Sequence, residues 1–127
     1  MKKKIILIVT LLLAMLLNLN CKAASEDEIL LAKAVEAEAH GESYTVMASL
    51  ASVLLNRISS DSYPGEIGAV ISDAGIDISV SVPSSQAMRA VHDAALGFDP
   101  TSGALEYKKS AVSDSPLLLF VDGWSFY

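Results

Sequence analysis

The sequence predicts a single small α+β domain behind an N-terminal leader, with a helical hairpin first, a third helix after it and a short antiparallel sheet at the end. Three observations carry that reading. A charge-free apolar run lies near the N-terminus, helix-period apolar stripes bracketed by capping residues fill positions 26 to 97, and short apolar or aromatic runs separated by turn residues occupy the stretch from 104 onward. At 127 residues the chain has room for one core.

Lys2, Lys3 and Lys4 precede a run from Ile5 to Leu17 with no charge in it, the layout of a signal peptide. At about 13 residues the run is shorter than the ~20 that a helix needs to cross a bilayer, so export is expected rather than a permanent anchor. Small residues at Cys21 and Ala23 suit cleavage after Ala23, giving a leader of 1–23 and a domain of 24–127. Lipid modification of Cys21 is the weaker alternative, because Asn18, Leu19 and Asn20 match poorly the small residues that precede a lipidated cysteine. With one cysteine in the chain, no intramolecular disulfide can form. Loss of the leader would remove Lys2, Lys3, Lys4 and Lys22 and take the formal charge from −6 to about −10. So acidic a domain repels nucleic acid, and its partners are expected to be neutral or cationic.

Ser25 with Glu28 three residues on is a capping box, so a first helix is predicted from about Glu26 to His40. Gly41 can end it in the left-handed conformation, and Ser43 can cap a second helix over Tyr44 to Ile58 with Val46, Leu50, Val53 and Leu54 on one stripe. Ser59 to Gly65 is a turn cluster, and Ile67, Val70 and Ile71 suggest a short helical segment. Asp73 to Val82 alternates apolar and polar residues, which reads as a strand or extended loop. Pro83 and Ser84 open a third helix with Ala87, Val91, Ala94 and Ala95 inward and Gly97 at its end. Short strands are expected at Ala104 to Tyr107, Leu117 to Val121 and Ser125 to Tyr127.

At about 100° per residue around the first helix, Glu38 falls on the side of Leu31, Ala34 and Val35, while Lys33, Glu36 and His40 group opposite. A carboxylate among apolar neighbours is partly desolvated, which favours its protonated form. The helix C-terminus and the like charge of Glu42 act in the same direction. A neutral carboxylic acid can give its proton to a leaving oxygen. The plainer alternative makes Glu38 a boundary residue paired with a cation, with Arg57 at the end of the second helix as its partner.

The stretch Leu30 to Ile58, LLAKAVEAEAHGESYTVMASLASVLLNRI, resembles the opening of the spore cortex-lytic and cell-wall hydrolase family, which has a Glu-Ala-Arg-Gly-Glu motif followed by a helix ending in Leu-Asn-Arg. Here the motif reads Glu38, Ala39, His40, Gly41, Glu42. Ala94, Gly97, Asp99, Pro100, Gly103, Ala104 and Leu105 are similar to the family's second block, in the same order. The resemblance implies a lysozyme-like domain that cleaves peptidoglycan glycan strands by lytic transglycosylation, with Glu38 as the acid. Glu42, Asn56 and Arg57 would hold Glu38 in place, and Tyr107 and Trp124 become candidate substrate-binding residues. Peptidoglycan is the implied partner, with an accessory wall or spore protein as a further candidate.

The sequence departs from the family pattern at His40, where Arg is usual, and at Gly75, Ile76 and Asp77, where Gln-Phe-Ser is usual. Glu106 to Lys109 replace a Tyr-rich segment with Asn-Pro, and Trp124 and Ser125 stand where a His precedes an aromatic pair. These changes keep open a second possibility, a degenerate homologue that binds wall glycan or regulates an active hydrolase. Asp73, Asp77 and Asp99 read as loop acids. Trp124, Phe126 and Tyr127 read first as core and second as a sugar-stacking surface. Two histidines without a second metal-binding cluster give no closed metal site, and no cofactor motif is present.

Overall fold

The computed structural model describes residues 2–18, 24–110 and 115–127. Helix α1 (Lys2–Asn18) occupies the expected leader, and its residues 2–10 are exposed. No described helix is long and apolar enough to cross a membrane. Cys21 and Ala23, the expected processing positions, lie outside the described residues.

The domain that follows contains α2 (Glu26–Ala39), α3 (Tyr44–Ile58), α4 (Ile67–Asp73), α5 (Ser85–Ala95), β1 (Tyr107–Lys109), β2 (Leu119–Val121) and β3 (Trp124–Phe126). This is the α+β order that the sequence predicts. The three longer helices each start on a serine whose hydroxyl accepts a backbone N–H. Ser25 takes that of Glu28 at 3.1 Å, Ser43 that of Val46 at 3.3 Å and Ser84 that of Ala87 at 3.1 Å. Gly41, at φ 75°, turns the chain from α2 into the cap of α3. Gly97, at φ 105°, closes α5 as the Phe98 N–H reaches the Asp93 carbonyl and the Gly97 N–H the Ala94 carbonyl, both at 3.0 Å.

Helix α3 is the centre of the domain. Every residue from Val46 to Leu54 is buried, where periodicity predicts a single stripe. The wider burial follows from its neighbours, since α2, α4 and α5 all pack on it. Ala48, Ser49, Ala51 and Ser52 are small enough to let them approach on the faces between Val46, Leu50, Val53 and Leu54. A helix apolar on all sides is an interior helix.

On the far side of α2 the 76–84 segment takes the extended-loop alternative rather than the strand, and Val80 and Val82 are 89% and 81% exposed. It is pinned across α2 by polar contacts instead, with the Ser81 hydroxyl donating to the Lys33 carbonyl at 2.7 Å. That cover buries Glu36, which the helical wheel assigns to the solvent side. At α5, Ala95 is exposed and Ala90 takes the inward place expected of it.

The sheet has the order β1-β3-β2, antiparallel throughout, with Tyr107 opposite Phe126 and Lys109 opposite Trp124. Asp122 and Gly123 join β2 to β3 with φ of 47° and 82°, the two-residue hairpin that an Asp-Gly pair favours. The Asp122 carboxylate accepts the Ser43 hydroxyl at 2.6 Å, tying this hairpin to the start of α3.

Leu50 is fully buried in the middle of α3. Leu50→Ala is expected to lower unfolding free energy by about 2–5 kcal/mol in chemical denaturation, whereas Leu96→Ala, at an exposed position, should stay within about 0.5 kcal/mol.

Candidate active site

The residues singled out for chemistry sit at the ends of helices and along β1. Glu38 lies in the last turn of α2 and is exposed. This corrects the expectation of an apolar setting. Its angular position is near that of Leu31 and Val35, but Ala39, four residues after Val35, takes the buried place in this turn, and the Glu38 side chain emerges at the rim of the domain. Among the described residues its carboxylate makes no hydrogen bond or ion pair, so Arg57 is not its partner.

Tyr107 is its neighbour. Burial, reinforced by the Glu38 carboxylate and only partly offset by Arg57, pushes the Tyr107 phenol up to about 12. The hydroxyl therefore stays neutral, able both to donate and to accept a hydrogen bond next to the acid. Arg57 approaches the same ring from the end of α3. Its guanidinium carbon lies 4.8 Å from the Tyr63 ring centroid and 5.6 Å from that of Tyr107, and its Nε donates to the Leu105 carbonyl at 2.7 Å. Two cation–π contacts and one hydrogen bond hold this side chain in a single pose.

Glu42 is held from β1, with the Lys109 ammonium 3.2 Å from its carboxylate. The same ammonium lies 5.6 Å from the Trp124 ring centroid, and Trp124 stands 6.0 Å from Tyr107. Trp124 is 1% exposed. It forms the wall behind Tyr107 and Lys109 and offers no open face for a sugar, which corrects its assignment as a substrate-binding residue. Glu38, Glu42, Arg57 and Tyr107 thus share one surface, backed by Trp124.

Asn56 acts at one remove. Its amide donates to the Asp99 carboxylate at 3.0 Å and to the Ala104 carbonyl at 3.1 Å, and so positions the loop that leads into β1. Asp99 also accepts from Thr101 and from the Gly103 N–H. Burial works against its charged form, but the hydrogen bonds from Thr101, Asn56 and Gly103 outweigh it and hold the carboxyl below its ordinary 3.8.

Sequence reasoning missed Tyr63, Lys109 as a partner of Glu42, and Glu36. Tyr63 is a lone aromatic inside a polar turn cluster, which is the only signal it offers. Glu36 is 8% exposed, with the Ser84 hydroxyl donating to it at 2.7 Å and His40 Nδ1 at 2.8 Å. Burial opposes its charge, yet Ser84 and His40 together draw its carboxyl below the usual value. A separate cavity of about 750 Å³ lies at the opposite end of α2, lined by Glu28, Leu30, Leu31, Leu55, Ile58 and Ile67 among others. It contains none of the residues just described.

A family model described as Cell Wall Hydrolase matches residues 41–119, beginning just after Glu38 and Ala39. The spore cortex-lytic enzyme of Bacillus cereus is 38% identical over 90 residues, covering 65% of this chain and 35% of that protein. The spore cortex-lytic enzyme of Bacillus subtilis is 35% identical over 99 residues, covering 73% of this chain and 32% of that one. The chain therefore spans about a third of the length of these relatives. The crystal structure of the catalytic domain of the Bacillus cereus SleB protein superposes with a TM-score of 0.68 at 32% identity, covering 83% of this chain and 92% of that domain. The catalytic domain of the germination-specific lytic transglycosylase SleB from Bacillus anthracis gives 0.66 at 30% identity, covering 83% and 97%.

Because the Asp99 carboxyl is more acidic when folded than when unfolded, its contribution to stability is complete above about 3.8 and is lost as pH falls through the lower folded value. Asp99→Asn is expected to lower stability near neutral pH and to flatten the fall in stability below about pH 4, read from urea midpoints across an acid series.

Proposed function

The chain belongs to the cell wall hydrolase family, and from that premise we propose that it is an exported enzyme that cuts peptidoglycan glycan strands by lytic transglycosylation, with Glu38 as acid and then base. Glu38 gives its proton to the glycosidic oxygen between N-acetylmuramic acid and N-acetylglucosamine as the bond from that oxygen to the anomeric carbon breaks. The 6-hydroxyl of the same muramic acid attacks that carbon, and the Glu38 carboxylate takes up its proton. A 1,6-anhydro ring forms, no water is consumed, and the acid is regenerated.

The observation that carries this reading is a carboxyl at the rim of the domain that no described residue engages, acting on the Tyr107 phenol, whose ring also holds the fixed Arg57 guanidinium. A polymer can reach it there without entering a closed pocket. A strand laid across that surface displaces water from the carboxyl, which favours its proton-carrying form at the point of reaction. The fold of the two SleB catalytic domains supports the same assignment. Export rests on the leader, Lys2 to Leu17 with cleavage after Ala23; the secreted protein is expected to begin at Ala24, which intact-mass measurement of the mature chain checks.

A second reading, a homologue that binds glycan without cutting it, is favoured by one observation: no described hydrogen bond aims the Glu38 carboxylate. Mass spectrometry of peptidoglycan digests separates the two. Wild-type protein should release fragments with 1,6-anhydromuramic ends, and Glu38→Gln should lower the rate by about 10²–10⁴-fold. Equal background-level products from both proteins would leave only the binding reading.

A further inference from the structure

Arg57 is half-buried at the end of α3, and its Nε is committed to the Leu105 carbonyl. Its two terminal nitrogens make no hydrogen bond or ion pair among the described residues. Tyr63 and Tyr107 flank the guanidinium and fix its plane. This is an unusual state for the group. Four N–H donors are left without a protein acceptor while the side chain is held in place at the cost of its own freedom. The neighbouring acids do not use it: Glu38 has no hydrogen bond or ion pair among the described residues, and Glu42 is taken by Lys109 at 3.2 Å.

The setting narrows what the free donors would take. Once the leader is removed, the domain carries a formal charge of about −10, so an anionic polymer is repelled by most of the surface. Two cations, Arg57 and Lys109, lie against the Tyr107 and Trp124 rings. Lys109 is neutralised by Glu42. Arg57 presents a positive charge that no described acid pairs, and its planar fork matches a planar carboxylate by two parallel hydrogen bonds.

We infer that Arg57 binds a carboxylate carried by the glycan strand and thereby seats the strand across Glu38. The inference rests on the proposed glycan-cleaving reading, which it deepens by naming the substrate group that this surface recognises. It replaces the expectation that Arg57 holds Glu38 in place.

The test is a binding measurement that needs no turnover. The intact chain carrying Glu38→Gln is titrated with peptidoglycan strands whose stem peptides have been removed by an amidase, leaving lactyl carboxylates. The same strands with those carboxylates converted to methylamides form the second arm. Methylamidation is expected to weaken binding on the order of tenfold. Adding Arg57→Met should weaken binding to the carboxylate strands by a similar factor, and should cost little more on methylamidated strands. Arg57→Lys should restore only part of the affinity, since an ammonium cannot form the paired bonds.

The inference is overturned if methylamidation leaves affinity unchanged, if Arg57→Met weakens both arms equally, or if neither strand binds. Circular dichroism reports whether the Arg57 variants fold; if they do not, the methylamide arm on the unvaried Arg57 protein decides. Carboxylate-dependent binding without anhydro products from wild-type protein would sink the catalytic reading and leave this one standing. Cleavage that ignores strand carboxylates would do the reverse.

Discussion

The complete burial of the middle of α3 constrains everything else in the domain. Nine consecutive residues, Val46 to Leu54, are enclosed, so apart from the Ser52 hydroxyl on the Phe98 carbonyl this helix meets other segments through polar groups at its two ends. At its start, Glu42 and Ser43 meet Lys109 and Asp122 from the sheet. At its finish, Asn56 and Arg57 meet Asp99, Ala104 and Leu105. The stretch from Leu105 to Lys109 is therefore fastened at one end to the finish of α3 through Arg57 and at the other to the turn before α3 through Glu42. Tyr107 is carried midway between the two attachments, where the last turn of α2 brings Glu38. A small domain without disulfides thus assembles a chemically mixed surface by anchoring one strand to both ends of its most buried helix.

The architecture was legible because its punctuation is local. Ser25, Ser43 and Ser84 mark the starts of three helices by a hydrogen bond spanning three residues, and Gly41 and Gly97 mark ends by conformations that other residues resist. Such signals need no knowledge of what packs where. The failures share the opposite property. Glu36 looks solvent-facing on a helical wheel because nothing in α2 announces that residues some 45 positions later will fold over it, pinned through Ser81 and Ser84. The alternation from Ile76 to Val82 leaves strand and extended loop open, and the loop is what forms, since no described strand lies beside it and its outer valines stay in water.

The candidate site divides in the same way. The order of Glu38, Glu42, Asn56 and Arg57 along the hairpin places them at helix ends, and that much follows from sequence. What each one touches does not. Arg57 could have paired with Glu38, since both lie near helix ends and carry opposite charge. It is drawn away because the Leu105 carbonyl and two tyrosine rings offer a hydrogen bond and two cation–π contacts. Those partners come from a turn and a strand distant in sequence. Trp124, which reads first as core and second as a sugar platform, closes the back of the surface on β3, the central strand with both of its edges paired.

The exposure of Glu38 changes the kind of explanation its chemistry requires. A carboxylic acid buried in the apoprotein would carry its desolvation cost permanently, in the folding free energy. An acid at the rim carries little of that cost until a strand covers it, so the environment that favours its proton arises together with the complex. The surrounding groups fit this division of labour. Tyr107 is neutral and already in position, Lys109 and Glu42 neutralise each other, and Arg57 keeps its charge unspent. On the proposed reading the glycan strand supplies the burial that the helix end lacks, so that binding and acid activation are one event rather than two.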